Sequence, residues 1–344
     1  MSFASATASR LESVARTVAA VAPGAMLCVT IGLAAAFVSE RYGGPVMLYA
    51  LLIGMAFNHL SEEGACPLGI ELVAKTVLRI GVALLGARIT LEQIASLGVR
   101  PLAVVLGALA TTILLGAVLA RALGLRIDFG VLTGGAVAIC GASAALALAA
   151  VLPRHEESER QTLVTVVGVT ALSTLAMVIY PMIATLLQFD DQRTAVFFGG
   201  TIHDVAQVVG AGYMVSPQVG DVSTVVKLTR VAMLVPVAVI VALCFRRGRV
   251  LGRDGEAPAR AGRVPAFLLG FVALVLINST GVIPHGSAAA LASVSRGCLI
   301  AAIAALGVKT SFKKLAAVGW RPIALMVAET ICLAAVVLVG VTTL

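Results

Sequence analysis

The stretch GGTIHDVAQVVGAG, residues 199–212, sets His203, Asp204 and Gln207 within five positions in a chain that is otherwise almost continuously apolar. On a helix His203 and Gln207 lie four apart and Asp204 and Gln207 three apart, so the three project over one side. Ionisable groups in a hydrocarbon-facing segment are costly, and they mark functional positions by default. The plainer alternative is a His203–Asp204 pair that pins two helices. The glycines on either side weaken the helix, and opened backbone in a membrane is tolerated only where it lines a cavity or is buried in protein. The stretch therefore predicts a discontinuous helix whose break faces an internal cavity.

The rest of the chain supports a membrane setting. Of 344 residues 60% are hydrophobic and 12% charged, against about 25% charged in soluble domains, and mean hydropathy is +1.04. The apolar runs are unbroken, which excludes the alternating pattern of a membrane β-barrel. The net charge of +8 lies mostly in loops and reads as topology, not as a nucleic-acid footprint. Six cysteines (Cys28, Cys66, Cys140, Cys244, Cys298, Cys332) are scattered singly and form neither a disulfide framework nor a zinc pattern.

On a ruler of about 20 apolar residues per crossing, eleven spans are expected, near 20–39, 45–58, 67–87, 101–120, 129–151, 162–187, 194–214, 222–245, 265–283, 287–307 and 322–343. Residues 1–19 read as a cytoplasmic leader. The segment RRGRVLGRDGEAPARAGRVP (246–265) carries six arginines; the loop 246–264 is cytoplasmic by the positive-inside rule and divides the membrane sections 20–245 and 265–344. Counting outward puts the N-terminus inside. The mixed-charge loop PRHEESER (153–160) then falls outside, where it fits badly, and a re-entrant element between 129 and 214 would account for the misfit.

LLGARITLEQIASLGVRPLA (84–103) aligns without gaps to ALGVKTSFKKLAAVGWRPIA (305–324), with seven identities in twenty. At the same offset of 221, Lys75 falls opposite Arg296. Seven expected spans separate the copies, so they face opposite ways. That is the inverted-topology repeat of secondary transporters, whose substrate sits at the midplane between discontinuous helices.

A second candidate break is LTGGAVAICGASAA (132–145). Gly134, Gly135 and Gly141 allow the backbone to open, and Thr133 and Ser143 supply hydroxyls beside the freed amides; the plainer reading of the glycines is a packing face. Half-helix N-termini attract anions. Lys227 and Arg230 in VVKLTRVAMLVP share one face and would hold an anion if they point inward, or snorkel if they lie at an interface. Lys75 and Arg79 are weaker candidates of the same kind, and Glu71 can neutralise Lys75. The expected substrate-binding set is Thr133, Gly134, Gly135, Gly141, Ser143, Thr201, His203, Gln207, Lys227 and Arg230. Proton coupling falls to Asp204, with His203 as a titratable neighbour, and to Glu329 inside the last span.

No G-x-x-x-x-G-K-[ST], H-E-x-x-H or G-x-S-x-G occurs, so an ATP-hydrolysing loop, a zincin and a serine hydrolase all lack their parts. LRIGVALLGARIT, LTGGAVAICGASAA, GGTIHDVAQVVGAG, VVKLTRVAMLVP and PAFLLGF, in this order, resemble the YeiH-type bacterial inner-membrane proteins, to which sulfate export is assigned. The resemblance covers nearly the whole chain. It implies grouping with the cation/proton antiporter and anion transporter superfamily, with inverted repeats and crossed discontinuous helices. The expectation is an all-α polytopic inner-membrane protein of 10–11 spans and no enzyme. It is expected to move a small anion by alternating access with proton coupling, using no cofactor or metal. An anion channel and a non-transporting sensor or scaffold are the alternatives. The bilayer and the anion are the expected partners, nucleic acid is not, and a homodimer is left open.

Overall fold

The computed structural model describes residues 3–43, 45–96, 98–153, 155–246, 266–310 and 319–343, and among these no β-strand occurs. The chain opens with α1 (Phe3–Tyr42), α2 (Val46–Ala56) and α3 (Pro67–Leu72), which passes through a π-helical turn at Val73–Val77 into α4 (Leu78–Leu85). The short α5 (Leu91–Ser96) leads to α6 (Val99–Ala122), α7 (Ile127–Ala138), α8 (Ala142–Ala149), α9 (Ser158–Leu186), α10 (Asp191–Thr201) and α11 (Val205–Val215). Next come α12 (Pro217–Ala232) and α13 (Leu234–Arg246), then α14 (Ala266–Ser279), α15 (His285–Lys309) and α16 (Trp320–Thr342).

Each of the eleven expected segments falls on helix. Six helices among the described residues are long and apolar enough to cross a bilayer: Arg16–Tyr42, Val99–Ala122, Ser158–Leu186, Pro217–Phe245, Gly286–Lys309 and Trp320–Thr342. The chain is an all-α polytopic membrane protein. The expected leader is helix from Phe3 onward, continuous with the first span. Of the basic loop, residues 247–265 lie outside the described residues.

Two expected spans fold back on themselves. A straight helix would hold Asp128 and His155 about 40 Å apart, yet His155 Nε2 lies 3.4 Å from Asp128 Oδ2, and Gly135 packs on Leu148 between them. Thus α7 and α8 form an antiparallel hairpin with its tip at Ile139–Gly141. The same holds for α10 and α11: Ser216 Oγ donates to Asp191 Oδ2 at 3.1 Å, and the tip lies at Ile202–Asp204. The first hairpin springs from the C-terminal end of α6, two residues after its cap. The second is based beside the other end of α6, where Asp190 and Arg193 share a pocket with Gly98 and Val99. The 24 residues of α6 span roughly 36 Å, so the hairpins enter from opposite faces and meet tip to tip. This relocates the 153–160 loop to the face from which α7 enters, and it explains the misfit: a hydropathy ruler counts a returning hairpin as one crossing. Because two such elements occur, the errors cancel over the rest of the chain.

The helices form two groups. α1–α4 pack with α14 and α15, while α6–α12 pack with α16, and α11 touches α2 and α15 across the divide. Small residues draw the helices together: Gly24 meets Gly69, Gly54 meets Gly307 and Gly116 meets Gly130, each pair so close that a Cβ would strike backbone. Two helix pairs run antiparallel. Ser295 of α15 bonds the Gly81 carbonyl of α4 while Lys309 pairs with Glu71 of α3, and α16 meets α6 at Glu329–Gly116 and at Gly340–Val104. Residues 311–318 of the second copy lie outside the described residues.

Candidate functional site

Each hairpin tip is a helix end followed at once by a helix start, so each brings carbonyls and amides within a few ångströms of one another. In the first, Ile139 leaves helical geometry and Gly141 adopts φ +65°, a conformation that favours glycine. In the second, Ile202 and Asp204 are extended (ψ 135° and 141°). The last carbonyls of α7 and α10 have lost their helical donors, and burying them unpaired would be costly.

Lys227 and Arg230 of α12 meet that need. Lys227 Nζ donates to Ile139 O at 2.7 Å and Ile202 O at 2.9 Å, one carbonyl from each tip. Arg230 Nε donates to Ala138 O (2.7 Å), Nη2 to Val137 O (2.8 Å), and Nη1 to both Gly199 O and Ile202 O (3.1 Å each). Both side chains are fully buried. Cations at helix C-termini also interact favourably with the dipole. This side of the tips is closed.

The amide side differs. A cavity of about 340 Å³ lies against it, walled by Cys140 and Ser143 of the first tip, Asp204 and Val205 of the second, Leu78, Arg79 and Val82 of α4, Val231 and Leu234 at the α12–α13 junction, and Ala266 and Phe267 of α14. It therefore lies between the two helix groups. Asp204 caps α11, accepting from the Ala206 amide at 2.8 Å. The corresponding cap of α8 is Gly141, which has no side chain, and the exposed Ser143 hydroxyl sits in the first turn. Arg79 has no ion-pair partner among the described residues.

The expected site residues divide accordingly. Ser143 and Asp204 line the cavity and Gly141 forms the first tip. His203 Nε2 lies 3.0 Å from Thr330 Oγ1 of α16; that hydroxyl already donates to Met326 O, so the ring nitrogen is the donor, and Nδ1 has no hydrogen-bond partner among the described residues. Gln207 donates to Thr174 of α9 at 2.8 Å, and its Oε1 is unpartnered. The trio thus shares one hairpin but its side chains diverge, because Asp204 caps α11 while His203 sits in the bend before it and turns to α16, and Gln207 turns to α9. Thr201 bonds back to the Phe197 carbonyl of its own helix. Gly134 and Gly135 sit within unbroken α7, packed on α6 and Leu148. Thr133 turns to α16, donating to Glu329 Oε1 at 2.7 Å, while Oε2 of that buried carboxyl finds no partner. Cys140 is a cavity residue that spacing did not single out; its place beside Gly141 is the only signal.

Other charges are engaged in ion pairs away from the tips. Glu71 receives both Lys75 and Lys309. Asp221 takes Arg88 at 3.4 Å and the Tyr213 hydroxyl. Among the described residues no three His, Cys, Asp or Glu side chains gather as a metal site.

The family model described as conserved hypothetical protein 698 matches residues 23–326. The UPF0324 membrane protein of Chlorobaculum tepidum is 55% identical over 92% of this chain and 88% of its own. The UPF0324 membrane protein TauZ of Paracoccus denitrificans is 49% identical over 92% of this chain and 94% of its own. A Bordetella bronchiseptica relative is 36% identical over 83% of this chain and 89% of its own. No solved structure matches the chain. The resemblance to YeiH-type proteins agrees with these matches, and the chain belongs to the UPF0324 family of membrane proteins.

Proposed function

We propose that this protein is a secondary transporter of a small anion, binding it in the cavity on the amide side of the two tips. The observation that carries this reading is the junction on a single cavity of Arg79, which has no ion-pair partner among the described residues, with the start of α8, where Cys140 and Ser143 form the wall and no side chain caps the helix. Among the described residues Arg79 and Asp204 are the charged groups on the cavity wall, and Lys227 and Arg230 behind the tips add a positive excess that favours an anion in a low-dielectric interior. Sulfate is the first anion to try.

The packing supports alternating access. Six hydrogen bonds tie both tips to α12, so the tips and α12 move as one body against α1–α4, α14 and α15. An inverted repeat of 84–103 and 305–324 would supply the second state by a pseudo-two-fold rotation in the membrane plane. Asp204 couples the proton: ionised, it occupies the α11 amides; protonated, it frees them for the anion. Glu329, held by Thr133, is a second proton position. The protein lies in the inner membrane with its N-terminus cytoplasmic.

Counterflow in proteoliposomes tests this, with labelled sulfate inside an anion panel. Exchange that needs Arg79 supports the carrier, and accumulation against the anion's own gradient, driven by a proton gradient, separates it from a channel. Absence of flux for every anion leaves the non-transporting alternative.

A further inference from the structure

The cavity also bears on the kind of anion, given the transport reading above. A bare oxyanion such as sulfate exposes acceptors on every side, and its desolvation is offset only where donors surround it. Here the donors are few. They come from Ser143 at the start of α8 and from Arg79 across the cavity, beside the carboxylate of Asp204, whereas Leu78, Val82, Val231, Leu234 and Phe267 supply carbon only. At about 340 Å³ the space lies within the range of sites for organic ligands, which are mostly apolar with a few placed polar groups. We infer that the cargo is an organic anion, with a compact carboxylate- or sulfonate-type head at the first tip and a short apolar body against α12–α14.

The apolar wall sets the expected trend. Each methylene moved from water to such a wall tightens binding by about fourfold, until the body fills the space. Alkanesulfonates are suitable probes because they stay ionised and do not leak across as neutral acids.

The experiment is competition for counterflow by sulfate, methanesulfonate, ethanesulfonate and butanesulfonate, on the unaltered protein and on Phe267→Ser, with Phe267→Leu as the control for folding. The expected result is a half-maximal concentration that falls about fourfold per methylene and lies lowest for a sulfonate. In Phe267→Ser the dependence on chain length should flatten while methanesulfonate is unchanged. Sulfate competing better than every sulfonate, or a flat series in the unaltered protein, would overturn the inference and leave the transport reading standing. Failure of every anion to support counterflow would instead remove the transport reading, and the inference with it.

Discussion

The two sides of the hairpin tips use the same backbone differently. On the carbonyl side, Lys227 and Arg230 are fully buried and spend their donors on Val137, Ala138, Ile139, Gly199 and Ile202. On the amide side, α11 is capped by Asp204, α8 starts at a bare glycine, and Arg79 stands across the cavity with no ion-pair partner among the described residues. The lesson is that a cation in a membrane protein has two uses. One whose donors go mostly to helix-terminal carbonyls ties elements together, and one that faces a cavity keeps its donors for what enters it.

The largest effect should come from breaking the closed side. Arg230→Met removes four hydrogen bonds to the tip carbonyls of Val137, Ala138, Gly199 and Ile202, of which Ile202 keeps its bond from Lys227, and unsatisfied buried groups cost about 1–3 kcal/mol each, so the protein should fail to give a monodisperse peak in detergent. Arg230→Lys should recover part of the melting temperature. A well-folded Arg230→Met with normal transport would erase the distinction between the sides.

Arg79→Met should do the reverse. Its melting temperature should match that of the unaltered protein, because no ion pair is lost, while counterflow falls at least tenfold. Loss of stability in place of transport would put Arg79 among the structural cations.

Asp204→Asn keeps a good N-cap and removes the titrating group. With the α11 amides capped at every pH, exchange through the start of α8 and Arg79 should persist at a reduced rate with its pH dependence flattened, measured between pH 5.5 and 8; an unchanged profile would move the coupling proton to Glu329. The smallest effect belongs to Ser143→Ala, which removes one hydroxyl donor worth roughly 1 kcal/mol. It should weaken anion competition about fivefold without altering the melt.

Much of this was readable before any coordinates. Glycine beside polar residues in GGTIHD and ICGASAA located both breaks to within a few positions, because helix interruption has a compositional cause. The eleven apolar segments all proved helical. The fold-back was not readable from hydropathy, since an apolar run looks the same whether it crosses or returns, and only the charges of 153–160 objected. The division of labour between cations was hidden for a different reason. The acceptors of Lys227 and Arg230 are backbone carbonyls, which no side-chain pattern reports, whereas Glu71 near Lys75 and Arg79 made that stripe look neutralised. In the structure Glu71 takes Lys75 and Lys309, and Arg79 has no ion-pair partner among the described residues. Thr133 and Ser143 were equivalent as hydroxyls near a glycine; the left-handed turn at Gly141 decides that Ser143 lies in the first turn of α8 and Thr133 inside α7.

Cys140 offers the most direct measurement of the central claim, that the amide side of the tips holds the anion. In a variant with Cys28, Cys66, Cys244, Cys298 and Cys332 replaced by serine or alanine, the rate of Cys140 modification by a small thiol reagent is followed with and without sulfate or ethanesulfonate. The account predicts that one of these anions slows the reaction in a saturable way, and that Arg79→Met abolishes the protection. A rate unchanged by either anion, or protection that survives Arg79→Met, would contradict it.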